Sequence, residues 1–260
     1  MTARQIDGQV TAIYDDKFFA IRQDADRHAD GIELTNAARD IKRMPSFVGL
    51  LGGTFDPVHH GHLIGARAAA ELAGLDRLIL LPSAAPPHKP SEVMTDVESR
   101  IEMLSLAIDG DTLFEISRFD AERPGPTFTI DTVLHFREVF PAEVKLAWLI
   151  GADSLADLHT WHRVSELVNA CRILTLVRSG WESIDWKPLT DCVGAEGVNA
   201  LRDGLLVTPA IEISSSEVRQ RIQDGRSIRN LVPRSVESYV EANGLYRKPI
   251  PRASDTTVIP

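Results

Sequence analysis

Short apolar runs alternate with stretches of helical periodicity between residues 46 and 242, and this alternation restricts the fold more than any other feature of the chain. Ser46-Phe47-Val48-Gly49-Leu50-Leu51 is apolar, too short for a helix and followed by glycines, so it reads as a buried strand. Residues 61–73, rich in alanine and leucine, read as a helix closed by Gly74. Arg77-Leu78-Ile79-Leu80-Leu81 is a second buried strand, stopped by Pro82. Residues 97–108 set Ile101, Leu104 and Ile108 on one helical face. Further strands are expected over 113–117, 144–150 and 172–177, and further helices over 129–140, 215–223 and 235–242. Strands separated by helices imply βαβ units and a mainly parallel α/β sheet. Ligands of such sheets bind beyond the carboxyl ends of the strands, which puts the loops after Leu51, Leu81 and Ile150 around one crevice.

This pattern marks residues 46–247 as a single domain. Residues 1–45 read as an N-terminal extension, charged and mixed in sign, with small apolar groups such as Phe18-Phe19-Ala20-Ile21. A short helix fits there, but a second core does not. Met44, directly before the first strand, offers an alternative translation start. Residues 248–260 hold three prolines and few apolar side chains, the composition of a tail.

A net charge of −9 argues against a nucleic-acid surface, because phosphate polymers are held by basic fields. It does not argue against a mononucleotide, which needs only a few cations inside a pocket. Cys171 and Cys192 form no CxxC pair and suggest no disulfide framework; Cys171, within an apolar segment, reads as a buried thiol. No apolar run approaches the roughly 18 residues of a membrane span, and the first residues carry no signal core. The expectation is a cytoplasmic enzyme with no membrane contact.

The first strand leads into Gly52-Gly53-Thr54-Phe55-Asp56-Pro57-Val58-His59-His60-Gly61-His62. Glycines at a strand-to-helix junction let a nucleotide approach the backbone, and the free amides of the helix start favour an anion. His59 and His62, three apart, fall on one side of that start and can donate hydrogen bonds to a phosphate. A glycine pair can equally be a plain turn, and two histidines at this spacing suit a metal. Asp56 precedes a proline in the turn, and no third ligand has matching spacing.

Three other segments carry polar chemistry. Pro82-Ser83-Ala84-Ala85-Pro86-Pro87-His88-Lys89 ends the second strand in a proline-stiffened loop that delivers Lys89 towards the crevice, although a lysine there can be a plain solvated residue. Ser214, Ser215 and Ser216 precede Glu217 and Arg219; serines there are ordinary helix caps, but hydroxyls and free amides beneath an arginine also form a polyphosphate clamp. His159-Thr160-Trp161-His162 contains an indole that can stack on a planar ring or fill core space.

GGTFDPVHHGHL resembles the signature of the nucleotidyltransferases with the HxGH motif, and its GGTFDP form is similar to bacterial nicotinate-nucleotide adenylyltransferases. The resemblance runs from Ser46 to Arg247 and includes Asn230-Leu231-Val232-Pro233 and Gly244-Leu245-Tyr246-Arg247. It implies a Rossmann-like, doubly wound sheet with helices on both faces. It implies transfer of the AMP part of ATP to nicotinate mononucleotide, with Mg²⁺ carried by ATP and no protein metal site. By resemblance, Gly52, Gly53, Thr54, Phe55, His59 and His62 meet ATP, with His62 on its phosphates and His59 near the α-phosphate. PxxxPPHK is similar to the family's loop for substrate phosphates, which assigns Lys89 to it. The family's ISSTxIR has Ser216 and Val218 as mild changes here, and it gives Ser214, Ser215, Ser216 and Arg219 to ATP. Gly151-Ala152-Asp153-Ser154 resembles the GxDS turn, placing Gly151 and Asp153 along the adenosine. Thr127-Phe128-Thr129 resembles SYT, with Thr129 facing the pyridine nucleotide and able to cap its helix. Trp161 stacks on nicotinate by the same resemblance, with the backbone amides beside it and His162 meeting the carboxylate. The rival readings are a related transferase acting on nicotinamide mononucleotide or phosphopantetheine, and a nucleotide-sensing module without catalysis. An aminoacyl-tRNA synthetase, which uses a related histidine motif, is excluded by the chain's length and acidity and by the lack of a KMSKS-like segment.

Overall fold

The computed structural model describes residues 13–14, 44–84, 94–179, 181 and 184–247. The short helix expected near the N-terminus, the 248–260 tail and Lys89 lie outside the described residues.

Seven parallel strands form one sheet: β1 (Ile13–Tyr14), β2 (Phe47–Gly53), β3 (Arg77–Pro82), β4 (Phe114–Ser117), β5 (Lys145–Gly151), β6 (Arg172–Arg178) and β7 (Leu205–Thr208). Their order is β1-β4-β3-β2-β5-β6-β7. From the central β2 the chain winds outward through β3 and β4, returns to the other side of β2 as β5, and winds out through β6 and β7. This is the doubly wound Rossmann order, and its switch point lies between β2 and β5. The two-residue β1 pairs with β4 at the edge, so part of the N-terminal extension joins the sheet.

The helices are α1 (His60–Ala73), α2 (Val97–Ile108), α3 (Phe119–Glu122), α4 (Thr129–Val139), α5 (Ala152–Asp157), α6 (Val164–Ala170), α7 (Lys187–Asp203), α8 (Ser215–Gln223) and α9 (Arg234–Ala242). A 3₁₀ turn, Leu158–Thr160, follows α5. Strand side chains point alternately to opposite faces, and two buried clusters result. Val48, Leu50, Ile79, Leu81, Leu146, Trp148 and Ile173 face α4, α6 and α7. Leu78, Leu80, Ala147, Leu149 and Leu174 face α1, α2, α8 and α9. Each buried aliphatic side chain contributes roughly 1.5–3 kcal/mol, so the sheet is fixed from both sides.

α1 fits its place because Ala66, Ala69 and Ala70 turn small side chains inward. It ends as expected at Gly74, where a left-handed φ of 70° lets the amide bond back to the Ala70 carbonyl. Cys171 is buried, and burial pushes its thiol up to about 12. Among the described residues no helix is long and apolar enough to cross a membrane.

Candidate active site

Neighbouring strands part at the switch point. β2 stays paired with β3 as far as Gly53 and Pro82, and β5 with β6 as far as Gly151 and Leu176. Between β2 and β5 the pairing stops at Leu50 and Trp148, three residues short of both ends. The crevice therefore opens between the glycine loop after β2 and the Gly151 turn after β5. Trp148 supports its floor: a Cβ added at Gly52 would lie 2.8 Å from the indole. At Gly53 the same atom would meet the Phe55 ring at 3.0 Å. A side chain at Gly52 would therefore displace the aromatic packing beneath the loop, and one at Gly53 would press on it, a constraint not visible in the motif.

Phe55 is 1% exposed and adopts a left-handed φ of 49°. Its ring lies edge-on to His62, with centroids 5.2 Å apart. The Phe55 side chain is thus a wall beneath the histidines, and it is the backbone here that faces the crevice.

His59 is the N-cap of α1, and its Nδ1 accepts the His62 backbone N–H at 3.3 Å. An accepting Nδ1 places the proton of the neutral ring on Nε2. The His59 and His62 rings stack, with centroids 3.7 Å apart and planes 19° apart. Burial, with the neighbouring His60, lowers the pKa of His59 to about 4. Burial, with His59 beside it, lowers that of His62 to about 3. Both rings are neutral at physiological pH. Buried His62 Nδ1 has no hydrogen-bond partner among the described residues, an expense a fold seldom carries without a ligand to meet it. A Cβ at Gly61 would crowd both the His59 ring and the Ile213 carbonyl, each within 3.1 Å, so only glycine lets the start of α8 come this close.

The start of α8 is fastened to the histidine loop. Ser215 Oγ donates to the Pro57 carbonyl at 2.8 Å, and Arg219 Nη1 donates to the Asp56 carbonyl at 2.8 Å. Ser216 Oγ accepts from Arg219 Nη2 at 3.3 Å. Ser214 is the N-cap, its oxygen accepting the Glu217 amide at 3.1 Å. The capping alternative therefore accounts for Ser214, while Ser215 and Arg219 lie against the histidine loop and Ser216 bonds to Arg219. His60 N–H donates to the Leu231 carbonyl at 2.9 Å, which ties in the 230–233 segment.

Across the crevice, Gly151 caps α5 at the end of β5, and the Asp153 carboxylate folds back over it. Trp161 ends the 3₁₀ turn, half-buried against the core on that face. His162 is exposed, and its ring meets Phe128 at 4.4 Å with a tilt of 34°. The N-cap of α4 is Phe128, without a side-chain hydrogen bond, so Thr129 occupies the first helical position and does not cap. The structure thus gathers Gly52, Gly53, Thr54, His59, His62, Ser214, Ser215, Ser216 and Arg219 on the β2 side. Gly151, Asp153, Thr129, Trp161 and His162 belong to the β5 side.

Two residues of the site escaped the sequence reading. Arg100 is 1% exposed, and its Nη1 donates to the carbonyls of Thr54 (2.7 Å) and Ser83 (2.8 Å), joining the loops after β2 and β3. Asp56, taken from sequence as a turn residue, is buried and accepts the Tyr246 hydroxyl at 2.6 Å. A charged residue next to the apolar stripe of α2 was the one available signal for Arg100. Among the described residues no group of three His, Cys, Asp or Glu side chains is placed to hold a metal ion.

The cytidylyltransferase-like family model matches residues 50–221. The probable nicotinate-nucleotide adenylyltransferase of Moorella thermoacetica is 37% identical over 203 residues, covering 78% of this chain and 93% of that one. Its counterpart in Thermomicrobium roseum is 39% identical over 204 residues, covering 78% and 92%. A solved structure of similar fold is the Plasmodium falciparum nicotinic acid mononucleotide adenylyltransferase complexed with NaAD, with a TM-score of 0.59 and 17% identity, covering 77% of this chain and 97% of that one.

Proposed function

The chain belongs to the nicotinate-nucleotide adenylyltransferase family, and from that premise we propose how its residues divide the transfer of AMP from ATP to nicotinate mononucleotide. The products are nicotinate adenine dinucleotide and pyrophosphate. A phosphate oxygen of the mononucleotide attacks the α-phosphorus of ATP, and a new P–O bond forms. The bond from that phosphorus to the bridging oxygen of the β-phosphate breaks, and its electron pair leaves with pyrophosphate. A phosphate oxyanion is already a nucleophile, so no side chain needs to remove a proton.

The protein's task is then alignment and charge stabilisation. In our reading the triphosphate lies over the free amides of α1 and α8, where both helix dipoles favour an anion. The neutral imidazoles of His59 and His62 donate to oxygens at the α-phosphate, where charge shifts during displacement. Arg219 and the Lys89 loop take the charge of the departing pyrophosphate. Mg²⁺ arriving with ATP would supply further charge neutralisation when bound; among the described residues no group of three His, Cys, Asp or Glu side chains is placed to hold it. Gly151 and Asp153 border the adenosine, and Trp161 with His162 receives the pyridine ring. We place the enzyme in the cytoplasm, where ATP is made and used.

The observation that carries this reading is the stacked, neutral imidazole pair at the start of α1, joined through the 56–57 backbone to Ser215 and Arg219. His62→Ala should lower kcat by about 10² or more, the effect of removing one transition-state donor. Turnover within a few-fold of the parent would remove His62 from the mechanism. Pyrophosphate release with ATP, Mg²⁺ and separate nicotinate, nicotinamide and phosphopantetheine acceptors tests the substrate; the nicotinate form should be fastest.

A further inference from the structure

Tyr246 Oη donates to Asp56 Oδ1 at 2.6 Å across 190 residues of sequence. The other carboxylate oxygen, Oδ2, accepts the Thr95 amide at 3.3 Å, while the Asp56 carbonyl takes Arg219 Nη1 at 2.8 Å. Thr95 lies just beyond the loop that carries Lys89, and its carbonyl accepts Arg100 Nε at 3.0 Å. Arg100 also grips Ser83 before that loop and Thr54 in the histidine loop, at 2.8 and 2.7 Å. Burial disfavours the charge on the Arg100 guanidinium, and the nearby Asp56 carboxylate works against that effect. The described segments around the histidine pair are therefore referenced to one buried cluster. The histidine loop enters through Thr54 and Asp56, Ser83 and Thr95 through Arg100 and Asp56, and Arg219 through the Asp56 carbonyl.

We propose that Asp56, Arg100 and Tyr246 are positioning residues, a buried network that sets the placement of the imidazole pair and Arg219 relative to one another. Tyr246, four residues beyond the end of α9, locks it. The network does not touch substrate. The Asp56 carboxylate is occupied by the tyrosine hydroxyl and the Thr95 amide, which fixes its side chain in one orientation. Its backbone then fixes where α1 begins, four residues on, and where the Arg219 guanidinium rests. The proposal rests on the polyphosphate reading of this pocket, and a displacement reaction punishes small errors of alignment.

Tyr246→Phe removes one hydroxyl and leaves the ring, so it isolates the lock. The full chain is assayed with ATP and nicotinate mononucleotide well below the melting temperature of each protein, so that unfolding cannot mimic a loss of turnover. The expected result is a kcat lowered about tenfold with KM for ATP changed by less than about threefold, because alignment is lost while ground-state binding is kept. The His59 and His62 imidazole resonances should shift in the variant, and Arg100→Lys should reproduce the same split between kcat and KM. A kcat within twofold of the parent, a rise in KM alone, or unmoved imidazole resonances would overturn the proposal. His62→Ala separates the two claims. If it abolishes turnover while Tyr246→Phe does not, the network fails and the polyphosphate reading stands; if neither variant loses turnover, the underlying reading has failed.

Discussion

Lowering the pH from 7 to 5 should destabilise the protein by about 4 kcal/mol through His59 and His62 alone, and the size follows from their burial. In the unfolded chain both rings titrate at the ordinary imidazole value of 6.5. In the folded chain desolvation, followed by the neighbouring imidazole, lowers them to about 4 and about 3, so both stay neutral at pH 5. The unfolded state then binds more protons, and it is the state that gains as pH falls. The stability is fully present above pH 6.5 and erodes as pH drops towards the folded values. At pH 5 each ring stands about 1.5 units below its unfolded value, and at about 1.36 kcal/mol per unit that is roughly 2 kcal/mol each. The figure requires only that both folded values lie below 5. Against a typical total of roughly 5–15 kcal/mol the loss is large. Urea unfolding at the two pH values, for the parent and for His59→Asn/His62→Gln, measures it, and the comparison subtracts every other titrating group. The parent should lose about 4 kcal/mol more than the double variant. Equal losses would mean that the imidazoles are not buried as described, and the argument for a neutral donor pair would go with them.

Two further outcomes test the remaining walls of the crevice. Trp161→Ala should raise KM for nicotinate mononucleotide about five- to tenfold, the equivalent of roughly 1 kcal/mol of ring stacking, and leave KM for ATP nearly unchanged in steady-state kinetics. Gly52→Ala should cost about 1–3 kcal/mol in chemical denaturation, because its Cβ would press on the Trp148 indole at 2.8 Å; an unchanged midpoint would show that the floor yields.

The elements legible in the sequence were those whose periodicity is set by burial on the sheet. α2 and α8 have the expected bounds, and β3, β5 and β6 differ from expectation by a residue or so at their ends. The pair α7 and β7 was not anticipated. α7 holds Gly194 in a non-helical conformation (φ 72°, ψ 177°) and buries only Leu189, Val198 and Leu201, so its apolar pattern is broken where a continuous stripe would have announced it. β7 is a four-residue edge strand with only Thr208 buried, which erases the apolar run that marks the inner strands. In the site, the histidines, serines and Arg219 were legible because their types sit at helix starts. Asp56, Arg100 and Tyr246 were not, because their partners lie up to 190 residues away and no local pattern records a contact of that range.

The neutrality of the histidine pair fits the chemistry better than a pair of cations would. A charged group at the α-phosphate binds ATP before and during reaction alike, which lowers KM without accelerating the step. A neutral N–H in a desolvated pocket gains most when charge moves onto the oxygen it faces, and it needs no reorganisation to respond. The fold accepts the desolvation of two stacked rings and an orphaned Nδ1 on His62 to keep such donors in place. Formal positive charge is kept instead at Arg219, half-exposed and braced on the Asp56 carbonyl. In the proposed mechanism that arrangement puts polarisable donors where bonds change, and a fixed cation where pyrophosphate departs.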